Sequence, residues 1–445
     1  MLLPSLGTSI ANVALPALQT AFGAPFGQVQ WVVLSYLVAV TTLIVGVGRL
    51  GDLVGRRRLL LGGIGIFALA SAGAAMAPSL GVLIAARTAQ GLGAAIMMAL
   101  AVASVNDVVP KERTGTAMGL MGTVSAVGTA LGPSLGGALL SWGSWPVVFV
   151  VLAGAGLATF VIGLKTLPEK PAGDDAPVPF DFPGMLLLAL SLGAYALSTT
   201  LSGACPGSLN AGLGILSVAA FAAFLAVERR TAVPLLQVDL LRKQGLGSGL
   251  ISLGLVSTIM MATLVVGPFY LSEALGLTPV QTGLVMSIGP GVAALAGLPA
   301  GRLVDGYGSS SAMIVGLAAV VAGTTLMTVL PGWLGIGGYA GSLVTVTAGY
   351  ALFQAANTTA VMAGAPQDRR GLTSALLGLS RNLGLITGAS AMGAIFAMGS
   401  NGIDLLGLPP GRETGMTLTF AAAALLAATA LSLTVRSLRQ TGHRT

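Results

Sequence analysis

The chain has 445 residues, of which 54% are hydrophobic and 8% charged, and it carries a net charge of +7. A soluble domain uses about 25% charged residues, so this chain cannot cover a water-facing surface with polar side chains. That excludes an ordinary soluble enzyme, and nothing in the sequence supports nucleic-acid binding.

Apolar runs of roughly 20 residues recur along the chain, the length that crosses a hydrocarbon layer ~30 Å thick. Backbone groups in lipid must be satisfied internally, and runs this long point to helices. The predicted fold is an all-α polytopic membrane protein with fourteen spans. The first six lie at about 2–21, 28–50, 59–77, 80–104, 114–140 and 146–165. Two follow at about 183–203 and 208–226. The last six lie at about 246–270, 279–300, 311–330, 335–362, 371–398 and 413–435. The organisation expected is a six-helix half over 1–165, an inserted helix pair with linkers over 166–244, and a second six-helix half with a tail over 245–445.

In chain order, Asn12 and Tyr36 are the first polar residues that can line a cavity. The run "GRLGDLVGRRRLL" follows at 48–60, with Gly48, Asp52, Gly55 and Arg56 at its centre. Asp52 sits at the C-terminal end of the second span, where its own helix dipole disfavours an anion. A cation, or the N-terminus of another helix, would stabilise it. Arg87 lies about seven residues into the fourth span, roughly 10 Å deep at 1.5 Å per residue. A charge there is costly and reads as functional by default. Gln90 shares its face. Asp107 is near the far end of the same span.

In the fifth span Gly128, Gly132 and Gly136 recur at every fourth position, a smooth stripe for close helix approach. Gly137 follows, and Pro133 removes a backbone donor and is expected to kink the helix. Later in the chain come Glu273 just outside a span, Gln354, Asn357 and Asn382 as cavity candidates, and Arg381 as a second intramembrane charge. Cys205 is the only cysteine, so no intrachain disulfide forms. His443 stands alone in the tail, and no His/Cys/Glu cluster offers a metal site. No phosphate-binding loop and no nucleophile–base pairing is visible, so neither an enzyme nor a bound cofactor is expected.

Arg87 and Arg381 lie within spans and Arg412 falls on the opposite face, which leaves 18 of the 21 basic residues on one side. This asymmetry places that side, and the C-terminus, in the cytoplasm of a cell (inner) membrane protein. Trp31, Trp142, Trp145 and Trp333 then fall at the external interface, where such rings prefer to sit.

The chain also repeats itself. "GRLGDLVG" from Gly48 returns as "GRLVDGYG" from Gly301, which matches Asp52 with Asp305. The glycine-rich segment 112–137 returns more faintly from Asp368, with Gly128, Gly132 and Gly137 matched by Gly384, Gly388 and Gly393. Repeats of this kind build secondary transporters around a midplane site.

These segments resemble the signature motifs of the major facilitator superfamily. "GRLGDLVGRRR" looks like its motif A, "RTAQGLGAA" from Arg87 like motif B, and "GTALGPSLGG" (Gly128 to Gly137) like motif C of its antiporters. "TSIANVALP", "FDFPG" and "PLLQVDLLRKQ" are similar to the fourteen-helix drug:proton antiporter group. The resemblance implies a secondary transporter that exports amphipathic small molecules by proton antiport through alternating access. It implies that Asp52, with Arg56 nearby, latches onto the helix start around Gly371–Thr373 in the other half, and that Asp305 does the same near Gly115 and Thr116. It also implies that the kink at Pro133 seals the pathway against leakage.

The sequence departs from the group at Gly7, which stands where an aspartate is usual, about six residues from the chain start. Two explanations are open at this point: a misassigned start, or a first helix that is short and thins the local bilayer. With no acid deep in a span, Asp107 and Glu273 are the coupling candidates. The alternative is an exporter or facilitator of a polar or anionic metabolite without tight proton coupling; a more remote one is a non-transporting membrane sensor. The expected partners are a small-molecule substrate, protons and the lipid bilayer, with the chain acting as a monomer.

Overall fold

The computed structural model describes residues 1–44, 46–47, 50–51, 55–108, 114–167, 181–200, 208–231, 246–364, 370–401 and 409–442. Gly48, Asp52 and Cys205 lie outside the described residues. Asp107 is on a helix, but its side chain lies outside what is described.

Among the described residues every regular element is helical, and eleven helices are long and apolar enough to cross a membrane. One of these, Ser309–Ala363, is two helices joined at Gly335, whose φ of 54° and ψ of −127° interrupt the helical path. Leu2–Phe22 and Thr114–Trp142 complete fourteen helical stretches, at the positions expected from hydropathy. The first helix has 21 residues, about 32 Å at 1.5 Å per residue. It ends at Gly23, whose left-handed φ of 57° lets its N–H return to the Gln19 carbonyl. Pro133 lies inside the helix Thr114–Trp142. In the repeat, the matching helix takes a π-helical turn over Gly388–Met392.

The repeat is visible in backbone geometry. Gly55 and Gly308 hold matched places and both have positive φ, 94° and 82°, immediately before the helices Arg56–Ala75 and Ser309–Ala363. Residues with a Cβ rarely adopt this conformation, which accounts for glycine at both turns. Another start signal is the capping box of Thr278 with Gln281, with Pro279 as the first residue of Pro279–Tyr307.

By contacts the chain forms two compact units. One is Met1–Ser198 with Ser208–Leu235, and the other is Thr199–Gly207 with Leu236–Thr445. Both use one packing scheme. In the first unit Leu2–Phe22 packs against Thr114–Trp142, and Arg56–Ala75 packs against Leu80–Val108 and Pro146–Thr166. In the second, Leu246–Phe269 packs against Arg370–Thr387, and the Ser309–Ala363 hairpin packs against Arg412–Gly442. In lipid, hydrophobicity does not drive helices together, so close contact depends on small residues. A Cβ on Gly91 would lie 2.6 Å from the Tyr36 carbonyl oxygen. Those on Gly316 and Gly323 would lie 2.6 Å from the backbone nitrogens of Phe353 and Val346.

The helix Phe182–Thr200, up to Ser198, and the helix Ser208–Glu228 belong to the first unit. They join through reciprocal bonds: the Ser191 hydroxyl donates to the Ser217 carbonyl at 3.0 Å, and the Ser217 hydroxyl to that of Ser191 at 2.9 Å.

Candidate functional site

The helix Leu80–Val108 carries Arg87, and close packing of that helix against Trp31–Ile44 and Arg56–Ala75 encloses the side chain. Arg87 is fully buried. Its Nε donates to the Val32 carbonyl at 2.8 Å, and its Nη1 donates to the Gly7 carbonyl at 3.1 Å and to Oε1 of Gln90. The guanidinium carbon lies 4.4 Å from the centre of the Tyr36 ring, a cation–π geometry. The Tyr36 hydroxyl donates to the Pro4 carbonyl at 2.9 Å. Gln90 spans the cluster, since its Nε2 donates to the Ser71 hydroxyl at 2.7 Å, which donates to the Phe67 carbonyl at 2.6 Å. Four helices thus meet on one cation through neutral oxygens and one aromatic face.

Three residues singled out from the sequence, Arg87, Gln90 and Tyr36, come together here. Sequence reasoning missed the other members. Ser71 is one hydroxyl in an Ala/Gly-rich helix, while Gly7 and Val32 contribute only carbonyls, which leave no mark in residue type. Asn12 is fully buried on the first helix; its Nδ2 donates to the Thr8 carbonyl at 3.2 Å, and its Oδ1 has no partner. Met97 is buried on the Arg87 helix.

The glycine stripe faces the first helix. Cβ atoms on Gly128, Gly132 and Gly136 would meet the Leu2 carbonyl oxygen at 2.6 Å, the Ser9 Cβ at 2.7 Å and the Ile10 side chain at 3.1 Å. Pro133 and Gly137 are buried alongside. The second unit repeats the arrangement: Cβ atoms on Gly384 and Gly388 would lie 2.7 Å from the Ser257 and Met261 Cβ atoms. The motif therefore forms a close helix–helix seam in each unit.

In the second unit the candidates are more dispersed. Asn357 is buried, and neither atom of its amide has a hydrogen-bond partner. Gln354 and Asn382 are half-buried, and Arg381 is exposed in mid-helix. Asp305 is exposed near the end of Pro279–Tyr307. Glu273 lies in the π-helical turn Tyr270–Ala274, where its Oε2 accepts from Arg412 Nε at 2.6 Å. The Arg412 guanidinium also sits 5.8 Å and 5.6 Å from the Phe269 and Phe396 ring centres.

Arg57 donates through Nε to the Leu167 carbonyl at 3.0 Å and through Nη2 to that of Leu164 at 3.1 Å, at the end of Pro146–Thr166. A cation there complements the helix dipole and the last free carbonyls. Among the described residues no group of His, Cys, Asp and Glu is arranged to hold a metal ion.

Comparison with known proteins agrees with this architecture. The sequence profile of the Major Facilitator Superfamily matches residues 1–389. The riboflavin transporter RibZ of Clostridioides difficile is 29% identical over 404 residues, 88% of this chain and 85% of that protein. The multidrug efflux pump LfrA of Mycolicibacterium smegmatis is 28% identical over 443 residues, 96% of this chain and 85% of that one. Among solved structures, an inward-facing, unoccupied bacterial homolog of the human lysosomal transporter Spinster aligns with a TM-score of 0.71 at 16% identity. The alignment covers 98% of this chain and 94% of that one. With a profile match over most of its length and the helical repeat seen in its backbone, this chain is a multi-pass membrane transporter belonging to the Major Facilitator Superfamily.

Proposed function

We propose that the protein exports amphipathic small molecules across a cell (inner) membrane by proton antiport, with its C-terminus in the cytoplasm. The observation that carries this reading is the intact glycine stripe Gly128–Gly132–Gly136, packed on the first helix. This is the antiporter-like motif of the family, and it occurs in a chain whose relatives include a multidrug efflux pump over 96% of its length. Alternating access then needs a gate at Asp52 and Arg56, with Asp305 as its repeat counterpart. Proton coupling needs a titrating group, for which Asp107 and Glu273 are the candidates. The organisation proposed is two six-helix halves, 1–165 and 245–445, with 166–244 as an inserted segment, acting as a monomer.

One observation favours a second reading, transport of a polar or anionic metabolite without tight proton coupling. Arg87 has no carboxylate partner among the described residues, and its contacts are all neutral. A relative named as a riboflavin transporter fits that reading.

The deciding experiment has two stages. Efflux of a panel of dyes and drugs from intact cells, with and without an uncoupler, tests export. Counterflow in proteoliposomes with an imposed pH gradient tests coupling, for the wild type, Asp107→Asn, Glu273→Gln and Gly7→Asp. Loss of gradient dependence in one acidic variant assigns the coupling site. Wild-type transport that ignores the gradient, with dependence conferred by Gly7→Asp, rejects proton antiport for the natural protein.

A further inference from the structure

We infer that Arg87 forms a site for a compact monovalent anion inside the first unit, a halide or the carboxylate head of a small organic acid. A guanidinium has five N–H donors and no acceptor. Three of Arg87's donors are used, by the Val32 and Gly7 carbonyls and by Gln90, while Nη2 is enclosed without a hydrogen-bond partner. The acceptors are neutral, as is the Tyr36 ring beneath the guanidinium. The buried positive charge is therefore solvated in part and balanced by nothing among the described residues. Arginine cannot relieve this by losing a proton, and an uncompensated buried charge is strongly unfavourable. An anion on Nη2 supplies both the missing acceptors and the missing charge.

Size follows from the walls. Nη2 is shut off from solvent and the Arg87 side chain is fully buried, so the site takes a compact ion and not a bulky one. Asp107 is on the same helix, twenty positions away, about 30 Å along the axis, too far to serve as counter-ion. The inference stands apart from the efflux reading, since an exporter and a facilitator would hold the anion alike.

The test measures binding and not transport. The purified full-length protein is heated in detergent at constant ionic strength, with gluconate replaced stepwise by chloride, bromide, formate or acetate. A ligand of the folded state raises the unfolding temperature with concentration. The expected result is a saturable rise for the wild type with the compact anions. Arg87→Gln should need roughly 10–100-fold more anion for the same rise, the loss of one charged hydrogen-bonding group. Gly7→Asp places a carboxylate beside the guanidinium, with the Phe67 ring giving way by a few tenths of an ångström. It should abolish anion dependence while keeping a high unfolding temperature in gluconate. A halide-only response assigns an inorganic ion, and a response to formate and acetate that competes with chloride assigns a carboxylate. A flat wild-type response, or a response unchanged in Gly7→Asp, overturns the inference, even if Arg87→Gln does not fold.

Discussion

Replacing Gly132 by alanine tests whether the glycine stripe is a packing seam. The new methyl would stand against the Ser9 side chain, 2.7 Å from its Cβ, and 2.9 Å from the Ile10 backbone nitrogen. The Ser9 hydroxyl can rotate away at the expense of its 3.1 Å bond to the Ser5 carbonyl, but Cβ and backbone cannot. Carbon contacts need about 3.5–4.0 Å, so the two helices must separate locally. Such overpacking costs about 1–3 kcal/mol, and the intrinsic helix gain of alanine over glycine offsets up to ~1 kcal/mol of it. Gly154→Ala is the matched control, because nothing lies within 4 Å of its Cβ position. The difference between the two variants isolates packing. At ~2–4 °C per kcal/mol, Gly132→Ala should unfold several degrees below Gly154→Ala when heated in detergent. Adding Ser9→Gly, which removes the colliding Ser9 side chain but not the Ile10 backbone contact, should restore part of the loss. Equal unfolding temperatures for Gly132→Ala and Gly154→Ala, or no rescue by Ser9→Gly, would refute the seam.

Four further outcomes are expected. Asp52→Asn should abolish or strongly reduce transport at wild-type expression, while Asp305→Asn should be milder because its segment lacks the arginine run; wild-type transport by Asp52→Asn rejects the gate. In a Cys205→Ser background, Arg242→Cys should resist an impermeant thiol reagent applied to intact cells and Ser208→Cys should react; the reverse pattern rejects the orientation. Ser71→Ala leaves the Gln90 amide without its 2.7 Å acceptor and should destabilise the first unit by about 1–3 kcal/mol, read as unfolding temperature. Arg412→Gln breaks the Glu273 pair, whose side chains are 22% and 37% exposed, and should cost no more than ~1 kcal/mol. A larger loss would mean that this pair organises the second unit.

The fourteen spans and the repeat were legible in the sequence because both rest on local properties. A helix that crosses lipid must be apolar over about 20 residues, and the turn before the next helix must be glycine where φ is positive, as at Gly55 and Gly308. Arg87, Gln90 and Tyr36 were also legible, since polar groups are scarce in such spans and stand out. What only the tertiary structure decided is what those groups touch. Arg87 is held by the carbonyls of Gly7 and Val32, 80 and 55 positions away, and every residue carries a carbonyl, so residue type could not mark these two. The partner of Glu273 was also invisible: Arg412 is 139 positions on, and only folding brings its Nε to 2.6 Å from the carboxylate. Arg57 is one residue of the run "GRLGDLVGRRRLL", and only folding shows that it caps the last turn of Pro146–Thr166. Gly132 and Gly136 read as part of a smooth stripe, and only packing sets them against Ser9 and Ile10 of the first helix. Hydropathy and turn chemistry act along the chain, whereas buried charges take their partners from whichever neutral groups packing brings within about 3 Å.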